Sequence, residues 1–280
     1  MLFGAGIMPS KASVNTLYGE YVMKSSKDTD EQLGPAYDRI GKGYSLYRTT
    51  DPTIYSLILK SLAPCETILN VGAGTGCYEP PKCTLAVEPS PVMAAQRPKG
   101  SAPCILGVAE KLPLLDESFD GSLASLTIHH WSDLSVGLNE MVRVTRKRIV
   151  LLTWDPTLSS RFWLTRDYLP EIMDVHQPPP PTIEVLKRIL GDIDVHAVMI
   201  PENCQDAFVG AFWKRPAAIL DPLIQKANSA MALLDPIVLR RGIDRLRDDL
   251  QSGRWSIRNS ELKNLRLLDV GIRLVIKDRH

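Results

Sequence analysis

Short apolar runs alternate with longer amphipathic stretches over much of this chain. Thr67–Val71, Cys83–Val87, a segment near 103–107, Phe119–Thr127 and Ile149–Thr153 are apolar runs of strand length, the pattern of strands buried on both faces. Helical signals separate several of them. Asp51 and Pro52 form an N-cap and first-turn proline, followed by Ile54, Leu57, Ile58 and Leu62 on one helix face. A second helix is expected over about 90–97. Asp133 caps a third over about 134–146, with Leu134, Leu138, Met141 and Thr145 toward the sheet. Strands alternating with helices predict an α/β domain with a largely parallel sheet.

The later chain is less regular. A helix rich in large side chains is expected over 158–172, Pro178–Pro181 reads as a stiff connector, and Thr182 starts another helix. Val195–Ile200 and Leu268–Ile276 alternate like two final strands. The residues between them, 203–265, are helical in pattern and far exceed a median loop of roughly 4–6 residues. They read as an inserted helical cap. The expected organisation is an N-terminal arm (1–36), a core (37–202), the cap (203–265) and a last core strand (266–280).

The stretch Thr67-Ile-Leu-Asn-Val-Gly72-Ala-Gly74-Thr-Gly76 carries the most chemical information. A buried strand running into alternate glycines is how an open α/β sheet presents bare backbone to a nucleotide-like ligand at the strand's carboxyl end. The spacing discriminates among nucleotides. Cys77 stands where a dinucleotide fingerprint needs its third glycine, and no Gly-Lys-Ser/Thr follows for a phosphate cradle. The second strand ends at Glu88, a carboxylate placed to accept both hydroxyls of a ribose. A ligand with a free ribose and no phosphate requirement fits, and S-adenosylmethionine is such a ligand.

With these blocks in place the chain resembles the class I S-adenosylmethionine-dependent methyltransferases, in the small-molecule branch similar to the ubiquinone and menaquinone biosynthesis enzymes. The resemblance runs from about Tyr37 to Pro156. It includes Gly107-Val-Ala-Glu-Lys-Leu-Pro-Leu114, Asp116-Glu-Ser-Phe-Asp120, Leu126-Thr-Ile-His-His-Trp-Ser-Asp133 and Leu138-Asn-Glu-Met-Val-Arg-Val144. It implies a Rossmann-like, doubly wound, seven-stranded, mostly parallel sheet with an antiparallel C-terminal hairpin. It also implies methyl transfer to a small organic acceptor, with S-adenosylhomocysteine as product. The implied cofactor set is Tyr44, Arg48, Asn70, Gly72, Ala73, Gly74, Glu88, Pro89, Met93, Ala109, Glu110 and Leu126. In relatives a tyrosine and arginine placed like Tyr44 and Arg48 contact the methionine end, and Arg48 could hold its carboxylate through two parallel bonds.

The chain also departs from the family pattern. Asn70 replaces an acidic residue near the methionine ammonium, and Val108 replaces an aspartate that contacts adenine. Only Cys77–Lys82, with Pro80 and Pro81, separates the glycine loop from the second strand, so no full helix fits there. Thr145-Arg-Lys-Arg148 replaces a Pro-Gly turn.

Methyl transfer needs a general base only where the acceptor must lose a proton. His129 and His130, just past the fourth strand, are the candidates. Extended spacing would let one of them face the site, and the alternative role is to orient the loop. Phe162, Trp163, Tyr168, Phe208, Phe212 and Trp213 are candidate acceptor contacts, as is Trp131 unless it is a wedge under the cofactor; rings at helical spacing are often plain core. Arg161 and Arg166 would serve an acidic acceptor. Other readings remain: a catalytically silent cofactor-binding protein or, disfavoured by Cys77 at the third-glycine position, a nicotinamide-dependent oxidoreductase.

Composition narrows the picture further. The 280 residues are 44% hydrophobic, enough for a substantial core, and the net charge of +1 gives no footprint for nucleic acid or an acidic membrane. No apolar run reaches the ~20 residues of a membrane span. The 5 cysteines show neither metal-ligand spacing nor a C-x-x-C pair, and the opening lacks the features of a signal peptide. Together these point to reduced thiols in a cytoplasm and to no metal. Cys77 and Cys83 flank the glycine loop, where the plain reading is two small buried hydrophobes. The sequence leaves open a monomer or a homodimer.

Overall fold

The computed structural model describes residues 44–176 and 179–279. The expected N-terminal arm (1–36) and Pro178 of the proline connector lie outside them.

Strands β1 (Ile68–Val71), β2 (Cys83–Glu88), β3 (Cys104–Leu106), β4 (Phe119–Ser125), β5 (Thr145–Trp154), β6 (Asp194–Ala197) and β9 (Ile272–Asp278) form one sheet. Its order is β3-β2-β1-β4-β5-β9-β6. β1 through β5 pair in parallel, while β9 runs antiparallel between β5 and β6. This is a doubly wound, Rossmann-like sheet with an antiparallel edge. Strand order reverses between β1 and β4, so a crevice opens beyond the carboxyl ends of those two strands, where such sheets bind ligands. The two final strands do pair antiparallel, as expected. The chain between them, however, first forms a separate ribbon of β7 (Ile200–Pro201) and β8 (Leu267–Leu268).

The helices follow their signals with some revisions. α1 (Pro52–Leu62) has Asp51 accepting from the Thr53 and Ile54 amides, and it buries Ile54, Ile58 and Leu62. α2 is only Pro91–Ala94, capped by Ser90 and shorter than expected. α3 (Leu134–Val144) buries Gly137, Leu138, Met141 and Val144. It ends one residue before Thr145, which already belongs to β5. No turn intervenes. The basic run instead becomes strand, because Arg146 bonds Asp120 and Arg148 forks onto Asp278. The expected 158–172 helix is broken into α4 (Pro156–Ser159), α5 (Trp163–Asp167) and a 3-10 turn over Pro170–Asp174, where Pro170 removes a backbone donor. α6 spans Ile183–Leu190. The segment between the ribbon strands is helical: α7 (Pro222–Ala227), α8 (Ser229–Ala232), α9 (Pro236–Gln251) and α10 (Arg254–Arg258). Among the described residues no helix is long and apolar enough to cross a membrane.

β5 shows how the sheet divides the core. Val150 and Leu152 join one cluster with α1 and with Phe162, Phe208 and Trp213 of the later chain, whereas Ile149 and Leu151 are buried outside it. Alternation along a strand places these two pairs on opposite faces. The sheet face toward α1 is therefore continuous with the helical segment that overhangs the crevice.

No helix forms between β1 and β2, as the short spacer requires. The connection is fastened instead by Glu79, whose carboxylate accepts from Arg97, from the Ala102 amide and from Asn70 Nδ2 at 3.0 Å. The side chains of Arg97 and Glu79 are only 5% and 8% exposed, so neither can fall back on water. Glu79→Ala should cost about 3 kcal/mol in urea denaturation, because it leaves Arg97 buried without its counter-ion. A loss under about 1 kcal/mol would mean that the pair is not what fastens the crossover.

Candidate functional site: two adjoining cavities

The glycine loop leaves β1 in left-handed backbone. Gly72 has φ 67° and Gly74 has φ 53°, conformations that L side chains rarely adopt. Space as well as angle constrains Gly72: a Cβ there would lie 2.2 Å from Thr127 Oγ1, at the end of the neighbouring β4. At Gly74 a Cβ would make only ordinary contact with Met93, so there the angle is the constraint. Glu88 holds the loop from the next strand. Its carboxylate accepts from the Gly74 amide at 2.7 Å and from the Ser90 amide at 2.9 Å.

The loop forms one wall of a cavity of about 840 Å³, part of it open to solvent. That is within the usual range for small-ligand sites. Gly72, Ala73, Gly74, Glu88, Pro89, Met93, Ala109, Glu110 and Leu126 all line it, together with Tyr44 and Arg48. Asn70 does not, because its amide is turned to Glu79. Trp131, a candidate acceptor contact, lies in this cavity instead, wedged so closely on α3 that a Cβ on Gly137 would come within 2.6 Å of its ring. The sequence reading missed Ser125 and Thr127, short polar side chains inside an apolar strand end.

A second cavity, about 770 Å³ and also partly open, adjoins the first. Tyr44, Arg48, Leu126 and His130 line both. The junction is built by local backbone. Leu126 takes φ 52°, a costly angle for a branched side chain and one that concentrates at functional sites. A 3-10 turn over Ile128–His130 follows. The turn overrides the expected alternation, so His129 and His130 both line the second cavity, their ring centroids 3.9 Å apart. His176 joins them at 4.9 and 5.1 Å. Nothing local in the sequence marked His176, which arrives from the 3-10 turn after α5.

Of the expected acceptor aromatics, Phe162 and Phe208 line this cavity. Trp163 is buried with its indole N–H on the Trp213 carbonyl, Tyr168 donates to Asp249, and Phe212 sits in the core beneath Arg215. These three are structural, as rings at helical spacing usually are. Arg161 and Arg166 are exposed, and Arg166 is forked on Asp167. Trp154, at the end of β5, joins Phe162 and Phe208 in the cavity wall.

Arg48 lines the first cavity as expected, but its fork is already engaged within the chain. Its guanidinium grips Asp206 in two bonds, at 2.7 and 3.2 Å, and also donates to the Tyr44 hydroxyl. Tyr78 donates to the same carboxylate, and Thr49 and Asp51 bond the main chain of Gln205. The segment before α1 is thus stitched to the start of the 203–265 stretch beside both cavities, which Tyr44 and Arg48 line. Burial works against the Arg48 charge, but Asp206 beside it more than offsets that and keeps it protonated.

The histidines are held neutral. Burial first, then each other and Arg48, lowers His129 well below the ordinary imidazole value. Burial, with His176 and Arg48, lowers His130 to about 3, and burial lowers His176. Burial pushes the Cys77 thiol up to about 12, so it is no thiolate at neutral pH.

Two buried polar atoms on the first cavity, Ser125 Oγ and Glu110 Oε2, have no hydrogen-bond partner among the described residues, while Glu110 Oε1 is taken by Ser132 and the Asp133 amide. Such atoms are costly unless a ligand satisfies them. With a bare glycine backbone and a carboxylate at the end of β2, they fit a ribonucleoside carrying an amino-bearing base. The fold and this cavity define a nucleoside-binding α/β protein.

Comparison with known proteins narrows that class. A family model for the methyltransferase domain matches residues 69–152. A solved candidate methyltransferase from an antibiotic biosynthesis pathway of Anabaena variabilis is 32% identical, with a TM-score of 0.75 over 82% of this chain and 98% of that one. The malonyl-[acyl-carrier protein] O-methyltransferase of Serratia marcescens is 30% identical over 141 residues, 46% of this chain and 55% of that protein. The demethylmenaquinone methyltransferase of a Roseiflexus species is 29% identical over 126 residues, 41% and 53%. The chain spans about half the length of these two curated relatives. The chain belongs to the class I S-adenosylmethionine-dependent methyltransferases, whose cofactor is S-adenosylmethionine.

Two outcomes follow from this geometry. Glu88→Ala should weaken S-adenosylhomocysteine binding by about 1.5–3 kcal/mol in calorimetry, since it removes the anchor of the Gly74 amide and the carboxylate expected to meet the ribose; unchanged affinity would move the ribose contact elsewhere. The histidine cluster should also make stability depend on pH. An unfolded imidazole takes up a proton below about pH 6.5, whereas folded His130 refuses it down to about pH 3. Stability is then fully present above pH ~6.5 and falls with pH below it, by about 1.4 kcal/mol per pH unit for each such histidine. Urea denaturation from neutral to mildly acid pH should show that slope, and His130→Gln should reduce it by about one proton's worth; a flat profile would mean that the rings titrate normally.

Proposed function

We propose that this chain catalyses direct methyl transfer from S-adenosylmethionine to a small organic acceptor. The first cavity would take the donor and the second the acceptor. The observation that carries the proposal is the shared boundary: Tyr44, Arg48, Leu126 and His130 border both cavities. A donor carbon and an acceptor nucleophile on either side of one such boundary meet the positional requirement for displacement.

Bound S-adenosylmethionine would supply a methyl group activated by its sulfonium, which passes to the acceptor as S-adenosylhomocysteine forms. The chain's own residues do the rest. Glu88 would receive the ribose hydroxyls, and Glu110 and the backbone around Ala109 the base. The stitched segment of Arg48, Asp206 and Gln205 would hold this side of the cavities together and limit the entry of water. His129 is the residue we assign to take a proton from the acceptor, because its Nδ1 is buried without a partner and faces only the acceptor side. His130 and His176 orient it. Residues 203–265 contribute Asp206, Phe208 and Asn228 to this arrangement, which supports reading them as an insertion that covers the acceptor, with 37–202 and 266–280 as the core.

The two curated relatives are named for different acceptors, a malonyl thioester carrier and a demethylmenaquinone, so neither name decides the acceptor here. The purified chain should bind S-adenosylmethionine and S-adenosylhomocysteine in calorimetry and fail to bind NAD. Tight NAD binding with neither sulfur ligand bound would overturn the assignment. With an acceptor in hand, His129→Gln should lower turnover by about a hundredfold, the lower end for general-base catalysis, while leaving S-adenosylhomocysteine affinity within about threefold. Full turnover in that variant would remove His129 from the chemistry. Binding without any product would identify a silent binding protein.

A further inference from the structure

We infer that the second cavity selects an uncharged aromatic or enolic hydroxyl compound, with the acceptor hydroxyl donating to His129 Nδ1; this rests on the methyl-transfer reading above. Three observations carry it.

The first is charge. Among the described residues that line the cavity, Arg48 is the one with a formal charge, and both arms of its fork are taken by Asp206. Asp206 is itself buried, with a second donor in Tyr78. A carboxylate or phosphate on the acceptor would therefore enter without a counter-ion, and a cationic acceptor would find no free acid. Burying an unpaired charge is among the most costly things a binding site can do.

The second is the wall. Trp154, Phe162, Phe208, Ile172 and Val270 make it largely aromatic and apolar, and flat ring systems gain most from such surfaces through stacking and edge contacts.

The third is the pair of polar atoms left for a ligand. His129 Nδ1 is buried and has no hydrogen-bond partner. Asn228 spends its Nδ2 hydrogens on the Ala207 and Ile224 carbonyls at 2.8 and 2.9 Å, which leaves its carbonyl oxygen as an acceptor on the cavity side. With the His129 proton on Nε2, Nδ1 and the Asn228 oxygen are two acceptor positions on a wall whose aromatic and aliphatic side chains are joined by a few hydroxyls and imidazoles, and they suit a ligand that donates.

The acidity of the donated proton follows from the same cluster. His129 sits among two other imidazoles and beside Arg48, all of which disfavour its charged form, so it is a weak base. A weak base removes a proton usefully only from an acidic hydroxyl. A phenol ionises near pH ~10, whereas water-like hydroxyls ionise near ~15.7. In the transfer the acceptor O–H bond breaks toward His129, the oxygen gains the methyl group as the methyl–sulfur bond breaks, and the proton leaves to solvent on release. Charge balances, because a sulfonium and a neutral hydroxyl become a neutral thioether, a methyl ether and one proton.

The test is calorimetric titration of 2-naphthol, 2-naphthoate and 2-naphthalenemethanol onto the full chain at neutral pH, with and without S-adenosylhomocysteine. The expected result is that 2-naphthol binds more tightly than 2-naphthoate by at least about tenfold, the least that an unpaired buried charge should cost. His129→Phe should lower 2-naphthol affinity by about tenfold, the worth of one hydrogen bond, without changing S-adenosylhomocysteine binding. Ala230→Trp, which fills the cavity from α8, should abolish naphthol binding alone. Naphthoate binding as tightly as naphthol, no naphthalene binding at all, or naphthol binding that survives Ala230→Trp would each overturn the inference. Failure of S-adenosylhomocysteine to bind the native chain would overturn the methyl-transfer reading instead, and the titrations without it would still decide the acceptor class.

Discussion

One carboxylate sets the geometry on which the site depends. Glu88 reaches from the end of β2 to accept the Gly74 amide and, through its other oxygen, the Ser90 amide. It therefore fixes the glycine loop against the neighbouring strand and starts α2. The loop can follow that path only because Gly72 and Gly74 tolerate positive φ and because nothing at Gly72 competes with Thr127 for space. Strand order reverses between β1 and β4 at this point, so the crevice that the topology opens is the one that the loop lines.

The second cavity depends on a different device. Leu126 turns the chain at a strained angle, and the following 3-10 turn gathers two consecutive histidines on one side. His176 closes the cluster from the later chain. The strap of Arg48, Asp206 and Tyr78 then ties the entrance of α1 to the helical segment overhead. Arg48 and Asp206 neutralise each other, and aromatic and aliphatic side chains make most of the remaining wall. A partly open, largely apolar chamber whose one formal charge is already paired thus adjoins the cavity of the glycine loop.

Much of this was legible in the sequence because it rests on local rules. The alternating strands, the Asp51 and Asp133 caps, the glycine spacing and Glu88 are written in consecutive residues, and the short proline-containing spacer correctly excluded a first crossover helix. What could not be read was set by partners distant in sequence. Arg48 has a family role in its surroundings, but the Asp206 that engages it lies 158 positions away. Asn70 is drawn from the cavity by Glu79, a side chain with no motif around it. Trp163, Tyr168 and Phe212 look like an acceptor pocket in sequence, yet Trp213, Asp249 and the surrounding core claim them. His129 and His130 were seen, but their joint orientation was not, because a turn replaced the strand geometry that would have separated them.

The most direct check of the two-cavity account is a crystal structure with S-adenosylhomocysteine. The account predicts density along the glycine loop, with the ribose on Glu88, the base between Val108 and Glu110, and the sulfur end at the Leu126–His130 boundary facing an open second cavity. Density in the histidine-lined cavity, with the glycine loop bare, would contradict it.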